Sequence, residues 1–129
     1  MRSLVLIDTD VLINLAHGDR KTIAQVDLLK NERILATTII SQMEMVVGCR
    51  DNHELHTLGR FLSRFRIMAL SESAGGIAAD LLQKFHLSHG LAIPDALIAG
   101  IAIAEHLPLL TGNRRHYQFI EELELFLET

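Results

Sequence analysis

Leu4-Val5-Leu6-Ile7-Asp8-Thr9-Asp10 decides how this chain is read. Four consecutive large aliphatics, two of them β-branched, have the character of a short strand buried on both faces. The run stops on two carboxylates flanking a threonine. Val11, Leu12, Ile13, Leu15 and Ala16 then resume the apolar pattern at helical spacing, and His17-Gly18 ends it. Asp8 and Asp10 therefore stand at a strand-to-helix turn. In an open α/β sheet, ligands and chemistry collect there, just past the carboxyl end of a strand.

Downstream, Asp19 to Lys30 is predicted as a helix and residues 33–38 as a second strand. Ser41 opens a helix through Gly48, with Ser41-x-x-Glu44 in the pattern of a capping box. Asn52 to Phe65 follows as a helix, Ile67 to Leu70 as a third strand, and Glu72 to Phe85 as a helix ending in a loop over residues 86–90. Pro94 at a first helical position starts a helix that runs to about Glu105. Leu107 to Thr111 is the fourth strand, with Gly112-Asn113 as its turn. Arg114 to Ile120 is a short helix, and Leu123 to Leu127 alternates as an edge strand. A β-α-α-β-α-α-β-α-α-β order predicts an α/β/α sandwich around a mostly parallel sheet of four to five strands.

At 129 residues the chain is expected to form one domain, 1–129, with a single sheet-and-helix core. A 49% hydrophobic and 22% charged composition excludes a disordered chain. Net charge is −4, so any polyanion must meet a local cluster of cations, and nine of the twelve bases are Arg. Cys49 stands alone, which excludes a disulfide framework and a thiolate metal cage and suits a reducing, cytoplasmic setting. Asp8 and Asp10 interrupt the first apolar run, and Pro94 and Asp95 the stretch from Leu91 to Ala104, so no membrane association is expected.

Asp8, with Asp10, Glu44 and Asp95 each lie at a predicted strand end or helix start facing one edge, joined by Thr111 and Asn113 after the fourth strand. Carboxylates at about 5 Å repel by about 3 kcal/mol per pair at an effective dielectric of about 20. No Lys lies in these segments, so a hard divalent cation, Mg²⁺ or Mn²⁺, is the expected neutraliser. Such an ion activates a water and stabilises charge on a phosphodiester. Each acid also has a structural reading. Asp8 or Asp10 can cap the first helix, Asp10 being the better placed. Glu44 can be the capping-box partner of Ser41, and Asp95 suits the helix dipole. His86 and His89 at i, i+3 lack the further ligands of a zinc site. Arg114, Arg115 and His116 follow Asn113 and are candidate substrate contacts. Arg60, Arg64, Arg114 and Arg115 are expected to face the substrate groove.

Together, Asp8-Thr9-Asp10-Val11-Leu12-Ile13, Ser41-x-x-Glu44 with Gly48, Pro94-Asp95-Ala96-Leu97-Ile98-Ala99 and Leu110-Thr111-Gly112-Asn113 with His116-Tyr117 resemble a PIN domain, specifically the VapC-type toxins of bacterial toxin–antitoxin pairs. The resemblance implies that Asp8, Glu44 and Asp95 are catalytic metal-binding acids, with Thr9 and Thr111 as supporting hydroxyls and Asp10 beside them. Asn113 stands where the family commonly has a fourth acid. Its amide brings no charge, so a single ion is the expected form. It further implies an endoribonuclease that hydrolyses RNA, forms homodimers and is neutralised by a cognate antitoxin.

Two other readings compete. One is a non-catalytic module that binds protein or RNA, its acids serving as caps. The other is a haloacid-dehalogenase-like phosphatase, suggested by Asp8-x-Asp10, but Val11-Leu12 replaces that family's Gly-Thr turn and the later acidic pair is missing.

Overall fold

Val5, Leu6 and Ile7 have no exposed surface, because successive side chains of a strand point to opposite faces and both faces are covered. In the computed structural model, which describes residues 2–126, they belong to β1 (Leu4–Ile7). Val5 and Ile7 pack with Val11, Leu12, Val26, Leu29 and Phe65 on one side. Leu6 packs with Ala36, Ile40, Ala78, Ile98 and Ile101 on the other. The result is the expected three-layer α/β sandwich.

β1 pairs in parallel with β2 (Ile34–Thr38) and with β4 (Leu109–Leu110), and β2 pairs in parallel with β3 (Arg66–Met68). The sheet order is β3-β2-β1-β4. Helix pairs make the crossovers: α1 (Thr9–Ala16) with α2 (Arg20–Leu29), α3 (Ile39–Val47) with α4 (Asn52–Leu62), and α5 (Glu72–His89) with α6 (Ile93–Glu105). The chain winds outward from β1 to β3, then returns to the far side of β1 as β4. That reversal is a topological switch point, and the carboxyl ends of β1 and β4 flank it.

Several expected boundaries are corrected. The helix over residues 72–85 continues to His89, because Gly90 at φ +70° supplies the left-handed cap that ends it. Ser41 does not open α3. Thr38 is its N-cap, and Thr38 Oγ1 accepts from the Ser41 N–H at 3.0 Å, so the capping box is absent. The helix expected over 114–120 is a single 3₁₀ turn, Arg114–His116. Within the described residues the expected edge strand contributes one parallel bridge, Leu125 to Leu109, and Leu127 lies outside them.

Candidate active site

Asp8 follows the last residue of β1 and caps α1, its Oδ1 accepting from the Thr9 N–H at 2.9 Å. Asp10, the residue expected to make the better cap, lies two residues beyond the cap position. It reaches across the switch point instead, where its Oδ2 accepts from the Gly112 N–H at 2.9 Å. Its Oδ1 is buried without a hydrogen-bond partner. Asp8 is 4% exposed and takes a second bond on Oδ2, from the Thr111 hydroxyl at 2.7 Å.

Tyr117 brings in the next acid. Its ring is fully buried, and its hydroxyl lies 3.3 Å from Asp8 Oδ1 and 3.1 Å from Asp95 Oδ1. It has one proton to share between the two. Asp95 sits in the first turn of α6, and its Oδ2 is 3.2 Å from His116 Nδ1 on an exposed ring. Burial and the two flanking carboxylates push the tyrosine's own ionisation far above its ordinary range, so it acts as a donor.

Glu44, on the second turn of α3, arrives by a different route. Thr9 Oγ1 stands 2.8 Å from both Glu44 Oε1 and Ser41 Oγ, and Ser41 Oγ is 3.2 Å from Thr38 Oγ1. Thr9 has one hydroxyl proton and a carboxylate can only accept, so Thr9 donates to Glu44 and takes the Ser41 proton. A one-way hydroxyl chain thus runs from β2's end to the glutamate.

The structure therefore brings Asp8, Asp10, Glu44, Asp95, Thr9 and Thr111 to one edge. Asn113 is exposed and joins only through its backbone N–H, which donates to Thr111 Oγ1 at 3.0 Å. Arg114 and Arg115 are exposed on the adjoining turn. Arg60 is exposed on α4. Arg64 does not face the site. It stacks over Phe61 at 4.9 Å and lines a cleft with Arg2, Arg33 and Arg66, which stand at the amino ends of the strands. His86 and His89 are structural: one ring bonds the Leu91 carbonyl at 2.9 Å, the other stacks on Phe119 at 4.3 Å.

Burial dominates the electrostatics of Asp8. It raises the carboxyl from 3.8 to about 6, with repulsion from Asp10 and Asp95 adding to it and the bonds from Thr111 and Thr9 opposing it. Among the described residues no three Asp, Glu, His or Cys side chains form a ready-made ion cage. Yet the donor set is all oxygen, one carboxylate oxygen is buried and unpartnered, and one carboxyl resists ionisation because it is buried beside other acids. Those properties fit a hard divalent cation.

Tyr117 is the residue that sequence reasoning passed over, standing inside a motif without a role of its own. It is the chain's sole tyrosine, close behind a strand-end turn, which was the available signal. Tyr117→Phe keeps the ring and removes the bridge. We expect it to lower folding stability by about 2 kcal/mol, as for a buried bond to a charged acceptor. Urea unfolding measures this, and an unchanged midpoint would show the hydroxyl to be idle.

A parallel sheet with acids gathered at its switch point defines a class of α/β domain. The chain belongs to the PIN domain family, whose model matches residues 5–121. It is 29% identical over 121 residues to Ribonuclease VapC19 of Mycobacterium tuberculosis, covering 92% of this chain and 96% of that protein. It is also 29% identical over 125 residues to Ribonuclease VapC1 of Methanocaldococcus jannaschii, covering 95% and 85%. Among solved structures, VapBC2 from Rickettsia felis bound to a promoter DNA fragment superposes with a TM-score of 0.81 at 25% identity, covering 98% of this chain and 99% of that one.

Proposed function

We propose that this chain is a VapC-type ribonuclease toxin, a Mg²⁺- or Mn²⁺-dependent endonuclease that hydrolyses RNA phosphodiester bonds and is neutralised by a cognate antitoxin. The observation that carries the reading is the Tyr117 hydroxyl within hydrogen-bonding reach of both Asp8 and Asp95, while Thr9, next to Asp8, holds Glu44. Acids this far apart in the chain have no structural need to meet. The names of the two relatives, both ribonucleases, support the chemistry, and the likeness to a toxin–antitoxin complex from Klebsiella pneumoniae, 28% identical with a TM-score of 0.76 and covering 97% of this chain and 99% of that one, supports the partner. A homodimer, implied by the sequence resemblance, is part of this proposal. Among the described residues no helix is long and apolar enough to cross a membrane. A cytoplasmic setting is part of this proposal.

Asp8, Asp95 and Glu44 would hold the ion, with Asp10 contributing charge beside them. When bound, Mg²⁺ or Mn²⁺ supplies a water of lowered pKa and a counter-charge for the phosphate. The protein's own part is orientation. Thr111 and Tyr117 fix the Asp8 carboxylate, the Thr38–Ser41–Thr9 chain fixes Glu44, and exposed His116, Arg114 and Arg115 stand where a phosphate backbone can be met. Chelation is expected to abolish cleavage of a labelled RNA and Mn²⁺ to restore it. Asp95→Asn should lower the rate by about 10²-fold or more. Unchanged cleavage in either experiment overturns the nuclease reading.

The lack of a ready-made cage and the outward-facing Asn113 favour a second reading, a non-catalytic PIN-like module that binds protein or RNA. Failure to bind Mg²⁺ or Mn²⁺ at millimolar concentration would select it.

A further inference from the structure

At the end of the sheet opposite the acids lies a cleft of about 590 Å³ whose lining includes Arg2, Lys30, Arg33, Arg64 and Arg66. The residues come from just before β1, just before β2 and the start of β3, so the parallel strands bring them to one end of the sheet, with Arg66 level with Ala36, three residues beyond Arg33. A single carboxylate, Asp27, shares the cleft, and it pairs with Lys30 at 3.2 Å. Among the described residues none of the four arginines pairs with a carboxylate. Five of the chain's twelve bases thus meet in one place on a protein of net charge −4. Like charges gathered this way are unfavourable until an anion joins them.

The arginines are also held in place. Arg33 lies 5.1 Å over the Phe126 ring, Arg64 lies over Phe61 and Phe65 at 4.9 and 5.9 Å, and Arg2 donates to the Lys30 carbonyl at 3.0 Å. A guanidinium stacked on a ring keeps its N–H edge free, and that planar fork matches phosphate better than an ammonium does. Several fixed guanidiniums sharing one cleft suit a polymer that carries a phosphate on every residue.

We propose that this cleft is an anchoring site for the phosphate backbone of RNA, separate from the place of cleavage. The proposal rests on the ribonuclease reading and deepens it. Strands of four and five residues separate the two ends of the sheet by about 15 Å, so only an RNA long enough to pass the sheet's edge can use both. An RNA of one or two nucleotides reaches the acids alone, and a longer one reaches both ends.

The test is the double variant Arg33→Gln/Arg66→Gln, neither residue being near the acids. Binding to tRNA in the presence of a chelator is expected to weaken by about 10-fold or more, with the salt slope falling by about 0.7 for each phosphate no longer neutralised. Cleavage of a dinucleotide, too short to span about 15 Å, should be unchanged while KM for tRNA rises. The charge-keeping pair Arg33→Lys/Arg66→Lys should restore the slope. Unaltered tRNA affinity and slope in the folded Gln pair overturn the proposal, as does a Lys pair that binds no better. Intact tRNA binding with lost retention of polyglutamate would assign the cleft to an acidic polypeptide and overturn it too. If no RNA is cut but the Gln pair still loses tRNA binding, the nuclease reading fails and the anchor stands.

Discussion

Asp8→Asn is expected to make the metal-free protein more stable at pH 7 while removing its ability to cut RNA. Burial, with Asp10 and Asp95 adding repulsion, raises the Asp8 carboxyl from 3.8 to about 6. The folded chain therefore holds this proton more tightly than the unfolded chain does. The stabilisation that follows is complete below pH 3.8 and is lost as the pH rises through about 6. At pH 7 the folded state carries an unfavourable charge worth up to about 3 kcal/mol. Asparagine has nearly the same shape and no charge, so the melting temperature of the metal-free variant should rise by up to about 10 °C. The stability of the wild type should fall between pH 4 and 7, and that of the variant should be flatter. Activity should drop by about 10²- to 10³-fold, because Asp8 is the most buried of the acids proposed to surround the ion. Function and stability would then be opposed at one side chain, as active sites built from strained charge predict. Thermal melts across pH, with and without Mn²⁺, measure both effects. A variant that cuts RNA at the wild-type rate, or that melts lower at pH 7, contradicts this account.

The second large effect concerns the frame that carries Asp95. A Cβ built on Gly100 of α6 would lie 2.5 Å from the Ala74 carbonyl oxygen and 3.2 Å from Ala78 Cβ on α5. Neither neighbour has a rotamer with which to yield. Gly100→Ala gains about 1 kcal/mol of helix propensity and loses about 1–3 to overpacking, so a net loss of up to about 2 kcal/mol is expected. Gly100→Val adds bulk at the tightest point of the helix pair and should cost about 3 kcal/mol or more, a large share of a domain's stability. Gly75 on α5 has nothing within 4 Å of its Cβ position, and Gly75→Ala should stabilise by about 0.5–1 kcal/mol. Chemical denaturation of the three variants decides the matter. Equal effects at positions 75 and 100 would show that the close approach of α5 and α6 does not govern stability.

Much of the fold was legible because the signals are local. Apolar period and turn residues name a strand or a helix within a dozen positions, and β1, α2, α4 and α6 fall within a few residues of where those signals place them. Boundaries failed where two local signals competed. Ser41 and Thr38 are both good caps three positions apart, and the packing of Ile39 and Ile40 into the helix chose Thr38. His86 to His89 look like a loop beside Gly90, but a glycine in the left-handed conformation ends a helix after them rather than before.

The site was legible as a set of acids and not as an arrangement. Asp8, Asp10, Glu44 and Asp95 could be selected by residue type and position at strand ends. Nothing local separated a ligand from a cap, and Asp8 proves to be a cap whose remaining oxygen is held by Thr111.

The sequence by itself determined the alternation of buried strands with paired helices, the doubly covered β1 and the acids at the strand ends, because periodicity and composition act over neighbouring residues. Only the tertiary structure decided which groups meet. Tyr117 spans 109 positions to Asp8 and 22 to Asp95, and Arg64 goes to the opposite end of the sheet from the acids. The physical reason is that such contacts depend on strand order and on which end of the sheet each loop occupies, and those follow from the packing of the whole core.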